Sequence, residues 1–213
     1  AMGKQSDVAW AVGGTTGTPA GCLDTGAVGN SDYYLWLIMR SDTGVVDVLC
    51  SLSSTAPTMP TSYDKSRLIG WFKRVGGTIV AADTYETEGG GLELLWDVPT
   101  LDVDLTNTLT TSRRTDAVKV PLNFSVTAIL IASVNDGAAD PHSWIYCPDQ
   151  AVTAPSATVG PLFNMMDKTS TVRDPKQLYI RTSATGTVAA RSTIATVDSY
   201  QLVTLGFRWA RRD

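Results

Sequence analysis

"YYLWLIMRSDTGVVDVLCS" (33–51) reads as strand, turn, strand, and that reading sets the fold class. In "VVDVLCS" (45–51), Val46, Val48 and Cys50 fall on one face and Asp47, Leu49 and Ser51 on the other, because side chains alternate across a strand. One of these faces is the drier. "YYLWLIMR" (33–40) carries the aromatic and branched residues that suit a pleated, half-buried surface. Between the two runs, Ser41-Asp42-Thr43-Gly44 supplies a hairpin turn, with Gly44 suited to its left-handed position. "IRTSATGTVAAR" (180–191) repeats the device at 183–186, with Ala184 where Asp42 stands in the first copy.

Working outward, similar runs recur with turn signals between them. They are "SRLIGWFKR" (66–74), "GTIVAA" (77–82), "LELLWDV" (92–98), "LDVDL" (101–105), "AVKVPL" (117–122), "SVTAILIASV" (125–134), "SWIYC" (143–147), "QLYIRTS" (177–183), "TVAARST" (187–193) and "YQLVTLGFRW" (200–209). About twelve short antiparallel strands at close spacing predict an all-β, jelly-roll-like β-sandwich. In "LDVDL", alternation places Leu101, Val103 and Leu105 inward and Asp102 and Asp104 outward. Residues 1–6 read as a tag scar and flexible lead-in, and 7–213 as a single sandwich domain; the polar "TLTTSRRTD" (108–116) suits either a hinge between halves or a long hairpin end.

At 213 residues the chain can bury a sizeable core without metals or disulfides. A hydrophobic fraction of 43% against 18% charged residues excludes a disordered chain. A net charge of −4 leaves no field that would condense on phosphate backbones, so nucleic acid is not an expected partner. The longest apolar run, "VTAILIASV" (126–134), is too short to span a bilayer, and no membrane insertion is expected. Cys22, Cys50 and Cys147 are widely spaced beside apolar neighbours and read as reduced, mostly buried thiols.

Two Asp-Thr-Gly triplets, at Asp24 and Asp42, invite comparison with aspartic peptidases. Such a dyad needs two carboxylates about 3 Å apart sharing one proton, in equivalent loops. The surroundings of Asp24 and Asp42 are not alike, and a turn explains the second triplet. Ser-His-Asp chemistry and most metal sites lean on histidine, and His142 is the only one, so neither a cofactor nor a metal is expected. Asp83, Glu86, Glu88 and Glu93 offer carboxylates for glycoside hydrolysis, but "DTYETEGGG" (83–91) reads as an exposed Gly-rich loop. No catalytic function is expected.

The aromatic residues carry more. Trp36, Trp71 and Trp96 sit in apolar runs and read as core. Trp144 and Tyr146 follow a loop bearing Asp140, Pro141 and His142, and are expected to present ring faces at its rim. Rings flanked by carboxylates, amides or imidazole suit sugars, which stack their C–H faces and hydrogen-bond their hydroxyls. Trp144, His142, Asp140 and Tyr146 are therefore candidate ligand-binding residues on one edge, with Tyr85 and Glu86 on another.

The stretch "LDTGAVGNSDYYLWLIMRSDTGVVDVLCSLSSTAPTMPTSYDKSRLIG" (23–70) resembles a segment of tail-fibre and other virion proteins of tailed bacteriophages and prophages. There a Leu-Asp-Thr-Gly lead-in precedes a "YxxWLIxR" strand, "SDTGVVDVL", an "APTxP" loop, a Tyr and "RxIG". "PKQLYIRTSATGTVAARST" (175–193) and "TLGFRWARR" (204–212) are similar to that family's ending. Cys50 departs from the pattern, which has an aromatic there. The resemblance implies a distal β-structured domain of a virion fibre or spike, homotrimeric, in contact with other virion proteins and adhering to a bacterial surface glycan. It implies localisation in the virion after assembly in the host cytoplasm. Its rivals are a purely structural collar, baseplate or capsid-decorating role, and a polysaccharide depolymerase.

Overall fold

The computed structural model describes residues 3–15, 20–135, 142–151, 165–166, 175–195 and 197–210, the side chains at 7, 107, 142, 165 and 166 excepted. The described chain is all-β, with fifteen strands where the sequence reading expects about twelve. It divides into two compact units, Ala1–Val80 and Ala81–Ala210, where one domain is expected. The division falls outside 108–116, which holds the end of one strand, a turn at 110–113 and the start of the next strand.

The first unit is a six-stranded sheet built on the hairpin read from the sequence. Strands β1 (Lys4–Ala9), β2 (Ala20–Leu23), β3 (Asp32–Met39), β4 (Val46–Ser51), β5 (Lys65–Val75) and β6 (Thr78–Ile79) lie in the order β1-β2-β4-β3-β5-β6. β3 and β4 pair antiparallel from Tyr34↔Ser51 to Met39↔Val46. The dry face of β4 is the one with Asp47, Leu49 and Ser51, all buried with Tyr34, Trp36 and Ile38 of β3. On the opposite face Val46 is exposed and Val48 half-buried.

Residues 4–6 are not a flexible lead-in. β1 pairs parallel with β2, and Lys4 reaches the buried Asp47 carboxylate at 2.9 Å. Asp47 also accepts from the backbone N–H groups of Gly13 (2.9 Å) and Val48 (2.7 Å). A carboxylate buried in the core is thus matched by one cation and two amides, as burial of charge requires.

The reduced-cysteine expectation is corrected for two of the three residues. β2 lies beside β4 with Leu23 opposite Cys50, which places Cys22 and Cys50 with Cα atoms 5.1 Å apart, and they form a disulfide. That spacing is within the reach of the bond. Cys147 is free and buried, as read.

Both predicted turns are present. Gly44 has φ 69° and its N–H donates to the Arg40 carbonyl, while the Arg40 N–H donates to Val45. Asp42 forks onto Arg40 in solvent. Gly186 also has φ 69°, closing a tighter turn in which its N–H donates to the Ser183 carbonyl and the Ser183 N–H donates to the Thr187 carbonyl. A Cβ at φ near +69° costs about 1 kcal/mol. Gly44→Ala, open to solvent, is expected to lose that much; Gly186→Ala should lose more, because its Cβ would also meet Leu122 at 2.9 Å. Urea denaturation of the two variants checks the order.

The second unit has two antiparallel sheets, consistent with a β-sandwich. One has β7 (Ala82–Glu86), β8 (Leu92–Leu109), β10 (Thr127–Asn135), β13 (Lys176–Arg181) and β15 (Val197–Trp209) in the order β13-β10-β15-β8-β7. The other has β9 (Arg114–Ala117), β11 (His142–Tyr146), β12 (Met165–Met166) and β14 (Thr187–Ser192) in the order β12-β11-β14-β9. Tyr200 of β15 is fully buried, and Arg114 and Asp116 of β9 act on its hydroxyl, so these faces look at each other. Burial first, and then the Asp116 charge, hold this phenol well above its ordinary range.

Three sequence expectations change here. "LELLWDV" and "LDVDL" are one long strand, β8, and "AVKVPL" contributes only Ala117 to β9. "DTYETEGGG" is not all loop, since Asp83–Glu86 lie in β7, paired with β8 through Ala82↔Trp96 to Glu86↔Leu92. In "LDVDL" the strict alternation fails, because β15 pairs Leu202 with Val103 but Val203 with Leu101, leaving Asp102 as an extra residue. Such a bulge inverts the facing of what lies beyond it. Leu101 is therefore 52% exposed, and Asp102 is half-buried, accepting from Thr204 Oγ1 and the Lys119 N–H. Burial raises the Asp102 carboxyl above its usual range, against those two hydrogen bonds and the Lys119 charge.

Candidate functional site

The two Asp-Thr-Gly triplets have separate structural duties. Asp24 accepts from the backbone of Thr25 (2.7 Å) and of Thr58 (2.9 Å), tying the Pro-rich 53–62 loop to the end of β2. Asp42 is occupied by Arg40 in an exposed turn, and hydrogen bonding to that guanidinium holds its carboxyl below the usual range. Among the described residues of one chain, neither carboxylate makes a contact with another carboxylate.

The six candidate ligand-binding residues do not come together as one rim. Asp140 lies outside the described residues, and His142 is described only as the first residue of β11. Trp144 and Tyr146 do not present their faces to solvent: they are 3% and 5% exposed, clustered with Ala189 of β14. The reason is the register of the smaller sheet, where Trp144 stands opposite Arg191 and Tyr146 opposite Ala189. That places them inside the sheet, one strand in from its edge, with the small Ala189 packed among both rings. Tyr85 and Glu86 are exposed, as expected, but on β7, at the far end of the larger sheet.

A different grouping forms where the edge strand β13 meets the end of β11. A cleft of about 440 Å³ opens there, lined by Tyr146 and Cys147, by Asp149 and Gln150, and by Tyr179, Ile180 and Arg181. Each wall follows from local sequence. "CPDQ" (147–150) makes a turn closed by the Gln150 N–H on the Cys147 carbonyl (3.0 Å), with Pro148 at the position whose φ it presets. Arg113 donates to the Pro148 carbonyl at 2.5 Å and steadies this turn. On the other wall, β13 alternates strictly, with Leu178 and Ile180 buried and Gln177, Tyr179 and Arg181 exposed.

Tyr179 is the exposed ring of the cleft, at 43%. Its attitude is set from two sides: Gln177 Nε2 donates to its hydroxyl (3.0 Å), and the Arg208 guanidinium lies 4.7 Å from its ring centre. Arg208 is itself bound to Glu93, and that hydrogen bond keeps its pKa above the ordinary value. Around this fixed ring, the hydroxyl of Tyr146 and the side chains of Asp149, Gln150 and Arg181 make no hydrogen bond or ion pair within the described residues. The cleft therefore combines one oriented aromatic surface with unspent donors and acceptors.

Compared with family models, curated proteins and solved structures, this chain matches none. The site must be read from its own chemistry. Among the described residues no group of three or more His, Cys, Asp or Glu side chains is placed to hold a metal ion. Of the sequence candidates among the described residues, only Tyr146 lines the cleft. Tyr179 and Arg181 were legible as outward positions of "QLYIRTS", since an aromatic on the polar face of an edge strand is a signal in itself. Asp149 and Gln150 carried only a turn signal.

Proposed function

We propose that this chain is a virion protein of a tailed bacteriophage that attaches to the host by binding a bacterial surface glycan, without turnover. The observation that supports the reading is the cleft between β11 and β13. Sugars offer C–H faces to a ring and hydroxyls to planar polar groups, and Tyr179 with Asp149, Gln150, Arg181 and Tyr146 offers both. One carboxylate, Asp149, lines the cleft among the described residues, whereas glycoside hydrolysis works with two about 5–10 Å apart. Weak binding at one cleft suffices if copies are linked, and a homotrimer would convert later contacts into local ones.

The test is binding of labelled protein to a glycan array and to whole bacterial cells, with a reducing-sugar release control. Saturable binding without sugar release is expected, weakened at least about tenfold by Tyr179→Ala, as loss of a stacking ring implies. Tyr85→Ala, at the opposite edge of the same sheet, should leave it unchanged. Indifference to Tyr179→Ala would remove the cleft from the reading.

A purely structural virion role is favoured by one feature of the first unit. The outward face of β3 and β4 leaves Leu37 and Val46 exposed at 36% and 43%, a surface suited to a neighbouring subunit. Absence of any glycan or cell binding by assembled protein would turn the reading that way.

A further inference from the structure

The charged groups of the cleft narrow the ligand. Arg208 is neutralised by Glu93, and so contributes orientation but no free charge. Arg181 stands in the same cross-strand row, with Thr127 between it and Arg208, yet it makes no ion pair within the described residues. Asp149 lines the same cleft and, within the described residues, does not pair with Arg181, so both groups keep their hydrogen-bonding atoms for a ligand.

Resting on the glycan reading above, we propose that the cleft takes an acidic sugar, a residue of the uronic acid class, with its carboxylate on Arg181 and its ring hydroxyls on Asp149, Gln150 and Tyr146. A guanidinium is a rigid planar fork that meets a carboxylate with two parallel N–H donors. The ammonium of a lysine offers charge without that geometry. A single carboxylate matches the one guanidinium that lines the cleft among the described residues. A phosphomonoester, at roughly −1.5 to −2, would exceed the charge of that guanidinium and be repelled by Asp149. A neutral sugar would leave Arg181 desolvated and unpaired on closing the cleft, which costs affinity.

The experiment uses the full chain against immobilised oligomers of galacturonate, glucuronate and mannuronate, the same oligomers after carboxyl reduction, and phosphorylated mannose oligosaccharides. The expected result is binding to at least one uronate, at least tenfold weaker to its carboxyl-reduced form, and falling as salt rises. Arg181→Gln should abolish the preference for the acidic form. Arg181→Lys should restore it only in part. Because Arg181 is exposed, an unchanged thermal midpoint in both variants confirms that binding alone has changed.

Equal binding of acidic and reduced forms, lost with Tyr179→Ala but not with Arg181→Gln, would overturn the acidic ligand and leave the glycan cleft standing. Preference for the phosphorylated oligosaccharides would overturn it as well. If no oligomer binds, or if binding ignores both Tyr179→Ala and Arg181→Gln, the acidic ligand falls together with the cleft.

Discussion

Reducing the Cys22–Cys50 bond, or replacing both residues by alanine, is expected to lower the unfolding free energy of the first unit by about 3–4 kcal/mol. The bond closes a loop across a sequence separation of 28 residues, and the loss of chain entropy in the unfolded state sets that magnitude. Its position makes the effect larger than a surface crosslink would have. β2 meets β4 through a single pair of residues, Leu23 and Cys50, supplemented by the Asp24 N–H on the Cys50 carbonyl. The β1–β2 ribbon is therefore held to the sheet by the disulfide more than by a ladder. Both cysteines are at most 2% exposed, so alanine leaves no unpaired hydroxyl where serine would.

Urea unfolding with and without reductant measures the effect, and the second unit is the internal control. Its one cysteine, Cys147, is free, so its transition should not move. A first-unit transition that is equally indifferent would refute the prediction. In a reducing compartment the first unit lacks this contribution and gains it only in oxidising surroundings.

Asp47→Ala is expected to cost about 3–5 kcal/mol, because it strands a cation in the core. The Lys4 side chain is 9% exposed and Asp47 1%, so neither group can return to water without moving β1. The same substitution leaves the Gly13 and Val48 N–H groups without their acceptor. Relief comes most cheaply by releasing the first fifteen residues, since Lys4 also holds the Ala11 carbonyl at 2.7 Å and Trp10 packs against Tyr63. Limited proteolysis should therefore cut the variant within that arm first. Asp47→Asn keeps an oxygen for one amide and should cost less. Lys4→Met with Asp47→Leu, which removes both charges, should recover much of the loss. If Asp47→Ala unfolds at the wild-type urea concentration, the buried pair is not a determinant of stability.

Some of this was legible in single residues and some was not. The hairpin at 33–51 was, because period-two alternation and one left-handed glycine are properties of neighbours along the chain. Trp36, Trp71 and Trp96 were read as core and are at most 7% exposed, since each lies in a run too apolar to leave in water. The meaning of Asp47 was not legible. Alternation placed it with Leu49 and Ser51 but could not say that Lys4, 43 positions away, would arrive beside it. β1 went unread for the same reason, because "KQSDVA" has no apolar face of its own and is a strand only through its partner β2.

At the candidate site the division is sharper. That Tyr146 is aromatic, that "CPDQ" turns, and that "QLYIRTS" alternates are facts of the sequence. Trp144 was assigned to a rim and is buried, because exposure depends on the strand that comes to lie alongside, and Ala189 and Arg191 are more than forty positions away.

By itself the sequence determined the strands, their turns, the all-β class and which rings are too apolar to remain in water, since these follow from interactions among residues a few positions apart. Only the tertiary structure decided that Cys22 meets Cys50, that Asp102 is the extra residue of a bulge, and that Tyr146 shares a cleft with Tyr179 and Arg181. Those outcomes depend on the order of strands in a sheet, and strand order is chosen by the burial of whole faces and not by any short pattern along the chain.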